Sequence, residues 1–467
     1  MSTSDIIVIG AGSGGLNIAG FMNSAGFKVL LIDKSDAHIG GDCLNFGCVP
    51  SKALIHVSRL IHQGEQAERF GFSSSKSIDI KKVMDFIRSK QGVIREHENA
   101  SYFKKKGMHV ELGTAKFVGK NSIKINGKIH TSKRIIVATG SRPRKLDIPG
   151  IEKVKYYTNE NIWQMEKLPK NLLVIGGGPI GMELGQAFNR FGSKVTTIMK
   201  DPDFLPKESS DVTKILIRQL KEEGMQFAFN TKPVEFSSPK ELVVNQKGKK
   251  GKIKFDAVLI SIGRQLNIEN LDLEKAGIEL TEDKRKIKVN ECLQTTNRNV
   301  YLCGDIAGSY QFTHAAELHA GVILKNFFSP FKKKLSNDNL SWVTYTSPEI
   351  ATFGLGEKEL QKRKINYEKL LLDYGDDDRA IVTESTNARS VLYVHKDKIL
   401  GGTMVAENAG ELFQEFVLAK ANNIPMKAFF NKIYPYPTAS RVNKSIILGH
   451  YRKKFTPFAK KVLRFLY

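Results

Sequence analysis

Cys43 and Cys48 stand five residues apart in Gly40 to Lys52, GGDCLNFGCVPSK, where a loop following a strand turns into a helix. At that spacing two Cβ atoms fall on neighbouring helical turns, close enough for a disulfide if the first turn is distorted. A bridge in so small and strained a loop is easily reduced, which suits a redox centre and not a structural staple. Two buried structural cysteines are the competing reading. The flanking Gly40, Gly41, Asn45, Gly47, Pro50, Ser51 and Lys52 favour the redox one.

Two glycine-rich turns frame this stretch. Ile6 to Ile9 reads as a buried strand by its β-branched content, and Gly10, Gly12 and Gly15 follow it before an apolar helix. Glycines there allow a tight turn and let a pyrophosphate approach the helix N-terminus. A second strand, Lys28 to Ile32, ends in Asp33, an acid placed to take the ribose hydroxyls of an adenine dinucleotide. Leu172 to Ile175 opens a second copy of the unit, with Gly176, Gly178 and Gly181 as its phosphate turn. Two dinucleotide folds in one chain imply two nucleotides that exchange hydride. Between them, Met108 to Ile136 reads as short alternating strands with an Asn126-Gly127 hairpin turn, and Pro143 to Gly150 as a linker.

The cysteine stretch closely resembles the redox-active motif of the class I pyridine nucleotide disulfide oxidoreductases, the family of dihydrolipoamide dehydrogenase, glutathione reductase and mercuric reductase. The resemblance recurs along nearly the whole chain, in IIVATG (135–140), AVLISIG (257–263) followed by Arg264 and Asn267, NVYLCGDI (299–306), SPEIATFG (347–354) and GGTMVAENAGELFQEFVLA (401–419). It implies an α/β fold of two doubly wound, Rossmann-like dinucleotide-binding domains plus a C-terminal α+β dimerisation domain. The implied segments are 1–148 and 268–335 for FAD, 149–267 for NAD(P), and 336–467 for the homodimer interface. In such a homodimer each subunit completes the other's active site.

The resemblance also distributes roles. Cys43 becomes the thiol that exchanges with substrate, and Cys48 the thiol that faces the flavin. FAD falls to Gly10, Gly12, Gly15, Asp33, Lys34, Gly41, Lys52, Thr139, Gly140, Gly304 and Asp305. The nicotinamide nucleotide falls to Gly176, Gly178, Gly181, Lys200 and Gly263. Glu183 becomes the ion-pair partner of Lys52 beside the flavin, where a lysine stabilises negative charge on the reduced ring.

Three departures bear on the substrate. Met199 stands where NADH-using members carry a ribose-binding acid, and the adjacent Lys200 is suited to a 2′-phosphate, so NADPH is expected over NADH. Tyr436-Pro437-Thr438 replaces the HPT of the dithiol and disulfide reductases, and Arg441 stands where their Glu follows. A His–Glu couple would supply a base near neutral pH, whereas an ordinary Tyr titrates near about pH 10. Tyr436 is then a candidate catalytic residue at the acceptor, or interface packing among Tyr434, Pro435 and Pro437. The cysteine pair that mercuric reductase adds near its C-terminus is missing, since Cys303 is the last cysteine. The expected function is an FAD-dependent NAD(P)H oxidoreductase that passes electrons through a Cys43–Cys48 disulfide to a low-molecular-weight acceptor. A mercuric-reductase-like or quinone-directed enzyme is the alternative, ahead of dihydrolipoamide dehydrogenase and of a non-catalytic flavin redox sensor.

A chain of 467 residues divides into about three domains, and its four cysteines fit a reducing compartment. Cys292 and Cys303 are expected in apolar packing, and no metal site is expected. The formal charge of +24 and pI near 9.6 are read first as a lysine-rich surface, with no nucleic-acid partner expected. No secretory signal or membrane-spanning run is expected, which makes the protein cytoplasmic. Thr456 to Tyr467 reads as a capped helix with apolar residues on one face and no acid after Lys444. That segment either packs on the dimer domain or makes a peripheral contact with the inner membrane surface.

Overall fold

The β-branched run at the start of the chain becomes β1 (Ser2–Ile9), whose core Ile6 to Ile9 is buried. In the computed structural model, which describes residues 2–73, 77–453 and 455–467, β1 runs parallel to β2 (Val29–Asp33) on one side and β6 (Lys128–Val137) on the other. Beyond β2 lies β3 (His109–Leu112), and beyond β6 lies Val300–Leu302, both parallel. The strand that looked like the family's second FAD strand thus completes the first sheet. β4 (Lys116–Gly119) and β5 (Ser122–Ile125) join β6 as an antiparallel meander. Asn126 (φ 48°) and Gly127 (φ 81°) make the two-residue turn from β5 to β6, as their side chains favour.

Both faces of this sheet are covered, which is why its strands are apolar without alternation. Ile6, Val8, Leu31 and Ile136 face α1 (Ser13–Ser24) through Ile18, Ala19 and Met22. Ile7, Ile9, Leu30 and Ile135 face the other way, onto Leu271, Ile278 and Leu302. After β2 the chain forms α2 (Gly41–Asn45), breaks at Phe46 and Gly47, and restarts as α3 (Cys48–Ala67), with α4 (Ile80–Arg95) following.

The described chain divides into two compact units. One comprises residues 1–176, 191–193 and 232–335; the other comprises 177–190, 194–231 and 336–467. Within the first, Asn171–Ile175 pairs in parallel with Ala257–Ile260, which pairs in parallel with Tyr156–Tyr157. Ser141–Pro143, directly after β6, forms a short antiparallel ladder with Arg264–Leu266. Within the second unit, the helix Pro179–Arg190 follows the second glycine turn, and Lys194–Ile198 runs parallel to Gln226–Ala228.

The second unit also holds a five-stranded antiparallel sheet, in the order 341–344, 349–354, 398–406, 389–395, 368–373. Its core gathers Phe353, Phe413, Phe416, Met404, Val442 and Ile446. The helix Arg441–Arg452 buries Val442, Ile446 and Ile447, whereas the last helix, Pro457–Leu466, buries nothing. Among the described residues no helix is long and apolar enough to cross a membrane.

Cys303 lies in the core, 1 % exposed, and its burial pushes the thiol up to about 12. Cys292 departs from expectation. It sits half-buried in a turn held by the Asn290 side chain, because that side chain draws the backbone into a tight loop before the apolar sequence can enter the core.

Candidate active site

Glycines bring the two loops of the first unit together. Gly10 has φ +106°, and a Cβ there would lie 2.3 Å from the Ala138 carbonyl oxygen. Gly41 has φ +61°, and a Cβ there would lie 2.6 Å from Gly12 Cα. The redox stretch therefore starts in van der Waals contact with the first glycine turn, an approach only glycine permits.

Cys43 occupies α2 and Cys48 is the first residue of α3, so the helical break between them is what turns both side chains to one place. Both thiols are free. Their environments separate them. The Cys43 thiol hydrogen-bonds to Cys48 and so brings the Cys48 thiol down to about 6 against the opposing effect of burial, with Thr313 and the Lys52 ammonium helping. Thr313 Oγ1 lies 3.4 Å from Cys48 Sγ. The same hydrogen bond, together with burial, pushes Cys43 up. Lys52 lies one turn along α3 from Cys48, and its Nζ donates to Ser51 Oγ at 3.3 Å.

Neighbouring helices hold this hairpin of helices. Asn45 Nδ2 donates to the Gly41 carbonyl at 2.8 Å, Arg95 of α4 donates to Asn45 Oδ1, and Gln91 Nε2 reaches the Leu44 and Asn45 carbonyls at 2.9 and 3.0 Å. A shallow, open depression beside Cys48 and Lys52 is lined also by His56, Phe86, Lys90 and Ile94.

Around the first glycine turn, Asp33 Oδ2 accepts the Ala11 amide at 2.6 Å, and burial holds its carboxyl above the usual range. The Lys34 amide caps Asp33 Oδ1 at 2.7 Å while the Lys34 side chain stays exposed. Thr139 Oγ1 donates to the Asn267 carbonyl at 2.8 Å, and Gly140 leads into the Ser141 ladder. Gly304 (φ +81°) turns the chain after Val300–Leu302 so that Asp305 faces Ser141, whose Oγ donates to Asp305 Oδ2 at 2.5 Å. Burial raises Asp305, and Ser141 and Arg264 oppose the rise.

Arg264 ties this region together. Its Nε donates to Ser141 Oγ at 2.7 Å and lies 3.7 Å from Asp305 Oδ2, while its Nη2 lies 3.1 Å from Asp42 Oδ1, next in sequence to Cys43. Sequence reasoning singled out Arg264 as part of a motif but not its partner Asp42, which lies more than two hundred positions away. His319 was also missed. Buried in the helix Thr313–Phe328, it accepts the Gly304 amide on Nδ1 at 3.2 Å and meets Ser309 Oγ with Nε2 at 3.1 Å, and burial lowers it to about 4. It is a neutral prop under the Gly304–Asp305 turn.

These donors fit a flavin adenine dinucleotide. A helix N-terminus stripped of side chains, a carboxylate at the end of β2 and a cationic side chain one turn past the redox cysteine are what its pyrophosphate, ribose and reduced ring require.

The second glycine turn differs. Gly176 has φ +119°, and Gly178 and Gly181 open the helix Pro179–Arg190. Met199 is 5 % exposed, and its Sδ would lie 3.0 Å from a Cβ built on Gly177. It fills the position that Asp33 fills in the first copy. Lys200, next in the chain, is exposed, and Gly263 (φ +105°) follows the strand Ala257–Ile260. Glu183 is buried in its helix, with Oε1 accepting the Tyr345 amide at 2.9 Å. That bond lies within the second unit, and Lys52 belongs to the first.

Tyr436 is 67 % exposed within the single chain. Its hydroxyl donates to Asp378 Oδ2 at 3.0 Å, which pushes the phenol up, and the Arg441 guanidinium lies 5.3 Å from the ring centroid. Tyr434 is the buried member of the segment, donating to Glu415 at 2.6 Å.

Residues 4–320 match the family model described as pyridine nucleotide-disulphide oxidoreductase, and residues 340–445 match the dimerisation domain of the same family. The dihydrolipoyl dehydrogenase of Thermus scotoductus is 33 % identical over 456 residues, 94 % of this chain and 96 % of that one. The mercuric reductase of Lysinibacillus sphaericus is 30 % identical over 443 residues, 93 % of this chain and 80 % of that one. The HOCl-induced flavoprotein disulfide reductase RclA from Escherichia coli shares the fold, with a TM-score of 0.84 at 24 % identity over 95 % of this chain and 99 % of that one. The chain belongs to the pyridine nucleotide-disulphide oxidoreductase family, as a homodimeric flavoenzyme that uses FAD and NAD(P)H.

Proposed function

We propose that the protein is an NADPH-preferring reductase that delivers electrons through the Cys43–Cys48 pair to a small acceptor other than lipoamide. The observation that carries this reading is the placement of Cys43 and Cys48 on either side of the break between α2 and α3, with Thr313 Oγ1 3.4 Å from Cys48 Sγ and Lys52 one turn along α3. Thr313 and Lys52 both favour the Cys48 thiolate, the arrangement in which one sulfur holds charge while the other waits for substrate. FAD, when bound, relays the two electrons of the nicotinamide hydride to the disulfide. With a disulfide acceptor, the Cys43 sulfur then bonds to one acceptor sulfur and the second leaves with the Cys43 proton. Cys48 next attacks Cys43, the internal disulfide re-forms, and the remaining acceptor sulfur leaves as a thiolate that takes a proton from water.

In this reading FAD is held by Gly10, Gly12, Gly15, Asp33, Lys34, Gly41, Lys52, Thr139, Gly140, Gly304 and Asp305. NADPH is held by Gly176, Gly178, Gly181, Lys200 and Gly263, and Lys52 and Glu183 form the pair beside the flavin. Residues 1–148 and 268–335 serve FAD, 149–267 serves NADPH, and 336–467 serves the interface, through which Tyr436 reaches the acceptor. A flat quinone is the second reading, favoured by the exposed Tyr436 ring. A mercuric acceptor remains in the test set because of the relative in Lysinibacillus sphaericus. We also infer a cytoplasmic enzyme with a peripheral contact to the membrane through its basic C-terminal helix.

The test is anaerobic reduction of the purified flavoprotein with NADPH, followed by addition of oxidised glutathione, lipoamide, a soluble quinone or mercuric ion. Reoxidation by the quinone or by mercuric ion, faster than by lipoamide or oxidised glutathione, supports the reading. Reoxidation by lipoamide alone, at the rate of a dedicated dehydrogenase, overturns it.

A further inference from the structure

We propose that the helix Pro457–Leu466 docks the enzyme on a bilayer of anionic lipid, through an apolar face that enters the acyl boundary and a cationic face that meets the headgroups. This deepens the peripheral contact put forward above and rests on that reading. The helix is well begun. Thr456 Oγ1 accepts the Ala459 amide at 3.2 Å, and Pro457 occupies the first position, where its fixed φ suits the helix and its missing N–H costs nothing.

At 100° per residue, Phe458, Val462, Phe465 and Leu466 fall on one arc, and Lys460, Lys461 and Arg464 fall on the opposite one. Within the chain, none of the described residues covers the apolar arc. Phe458 is 76 % exposed, Phe465 89 % and Leu466 74 %, and no residue of the helix is buried. A helix that rested on the interface sheet would bury this arc, as the preceding helix buries Val442, Ile446 and Ile447.

Charge identifies the occupant. From Lys444 to Tyr467 the chain contains seven lysines and arginines and no aspartate or glutamate. Among the described residues, Lys460, Lys461 and Arg464 have no acidic partner. A second copy of this helix would set three cations against three, and a purely acidic protein surface would leave Phe465 and Leu466 in water. An anionic lipid surface satisfies both faces at once. The helix lies beyond residue 445, where the match to the family's dimerisation domain ends. One short helix anchors weakly. A homodimer carries two, and the second binds from the effective concentration set by the first.

The experiment is flotation of the FAD-loaded full chain with vesicles of phosphatidylcholine alone and with vesicles half phosphatidylglycerol. Expected is co-flotation with the anionic vesicles only, weakened by added salt. The double variant Phe458→Ser/Phe465→Ser and the variant Lys460→Glu/Lys461→Glu should each lower the bound fraction at least about tenfold. Flavin content and dimer mass should stay unchanged in both. NADPH-dependent turnover of a soluble acceptor is measured in parallel, so that its absence counts against the proposed activity and not against docking. Equal flotation of a chain truncated after Phe455, equal binding to neutral vesicles, or no binding at all overturns the proposal. Dissociation of the dimer in the Phe458→Ser/Phe465→Ser variant assigns the face to a second copy instead, and likewise overturns it.

Discussion

Asp33 accepts the Ala11 amide at 2.6 Å, closing the first glycine turn with a carboxylate. The second turn has no such acid. Met199 lies over Gly177 in its stead, and Lys200 follows in solvent. A carboxylate at that place bonds ribose hydroxyls and repels a 2′-phosphate, whereas a thioether beside an ammonium does neither.

NADPH is therefore expected to exceed NADH in kcat/KM by tenfold or more, since a charge-assisted phosphate bond contributes about 1.5 to 3 kcal/mol. Met199→Glu should move the ratio toward NADH, its carboxylate finding the backbone as Asp33 does. Lys200→Ala should lower NADPH efficiency and leave NADH nearly untouched. Steady-state kinetics with both nucleotides checks this, and equal efficiencies in the wild type would refute it.

A second expectation concerns pH. The Cys48 thiol is lowered to about 6, so in the reduced enzyme the thiolate is present above that pH and is lost as pH falls through it. Alkylation of Cys48 by iodoacetamide should trace this titration. Lys52→Met removes one of the groups that lowers Cys48, so the midpoint should rise. A profile identical to that of wild type would show that Lys52 has no electrostatic hold on Cys48.

Arg264 provides a third. Replacing it by Met leaves Asp42 and Asp305 without their shared cation, and Ser141 without a donor at 2.7 Å. Unpaired carboxylates in a half-buried site repel both each other and a pyrophosphate. Arg264→Met should purify with much of its flavin lost, read as the ratio of flavin to protein absorbance, while far-ultraviolet circular dichroism stays that of wild type. Full flavin retention would make the Arg264 network dispensable.

The fourth concerns Tyr436. Its hydroxyl is committed to Asp378, and Arg441 at the ring disfavours any imidazolium placed there. General acid–base catalysis contributes roughly 10² to 10⁴-fold, and a deficit of that size is expected with lipoamide and oxidised glutathione relative to members that carry the His–Glu couple. Tyr436→Phe should slow an acceptor that takes the hydrogen bond of the phenol in place of Asp378. An unchanged rate with every acceptor would reduce Tyr436 to a surface residue, and fast lipoamide turnover would remove the reading altogether.

What could be read from the chain alone follows from how local each signal is. The glycine turns, the Asn126-Gly127 hairpin and the Thr456 cap are set within a few residues, and each appears where its chemistry requires. Even the helical break between Cys43 and Cys48 is partly foreseeable, because a five-residue spacing needs a distorted turn. The partners of Glu183, Tyr436 and Arg264 were not legible. Tyr345, Asp378 and Asp42 are brought to them by folding from 58 to more than 200 positions away, and no periodicity marks such pairs. Cys292 was misplaced because its apolar neighbours suggested a core, while an asparagine two residues earlier decided the turn.

The contact between Gly12 and Gly41 carries a consequence for any attempt to redesign this enzyme. Because a methyl group at Gly41 would sit 2.6 Å from Gly12 Cα, neither loop can be swapped for one from another scaffold unless the other is transplanted with it. The nucleotide turn and the thiol hairpin are a single module for grafting, and a chimera joined between them would inherit a steric collision at its seam.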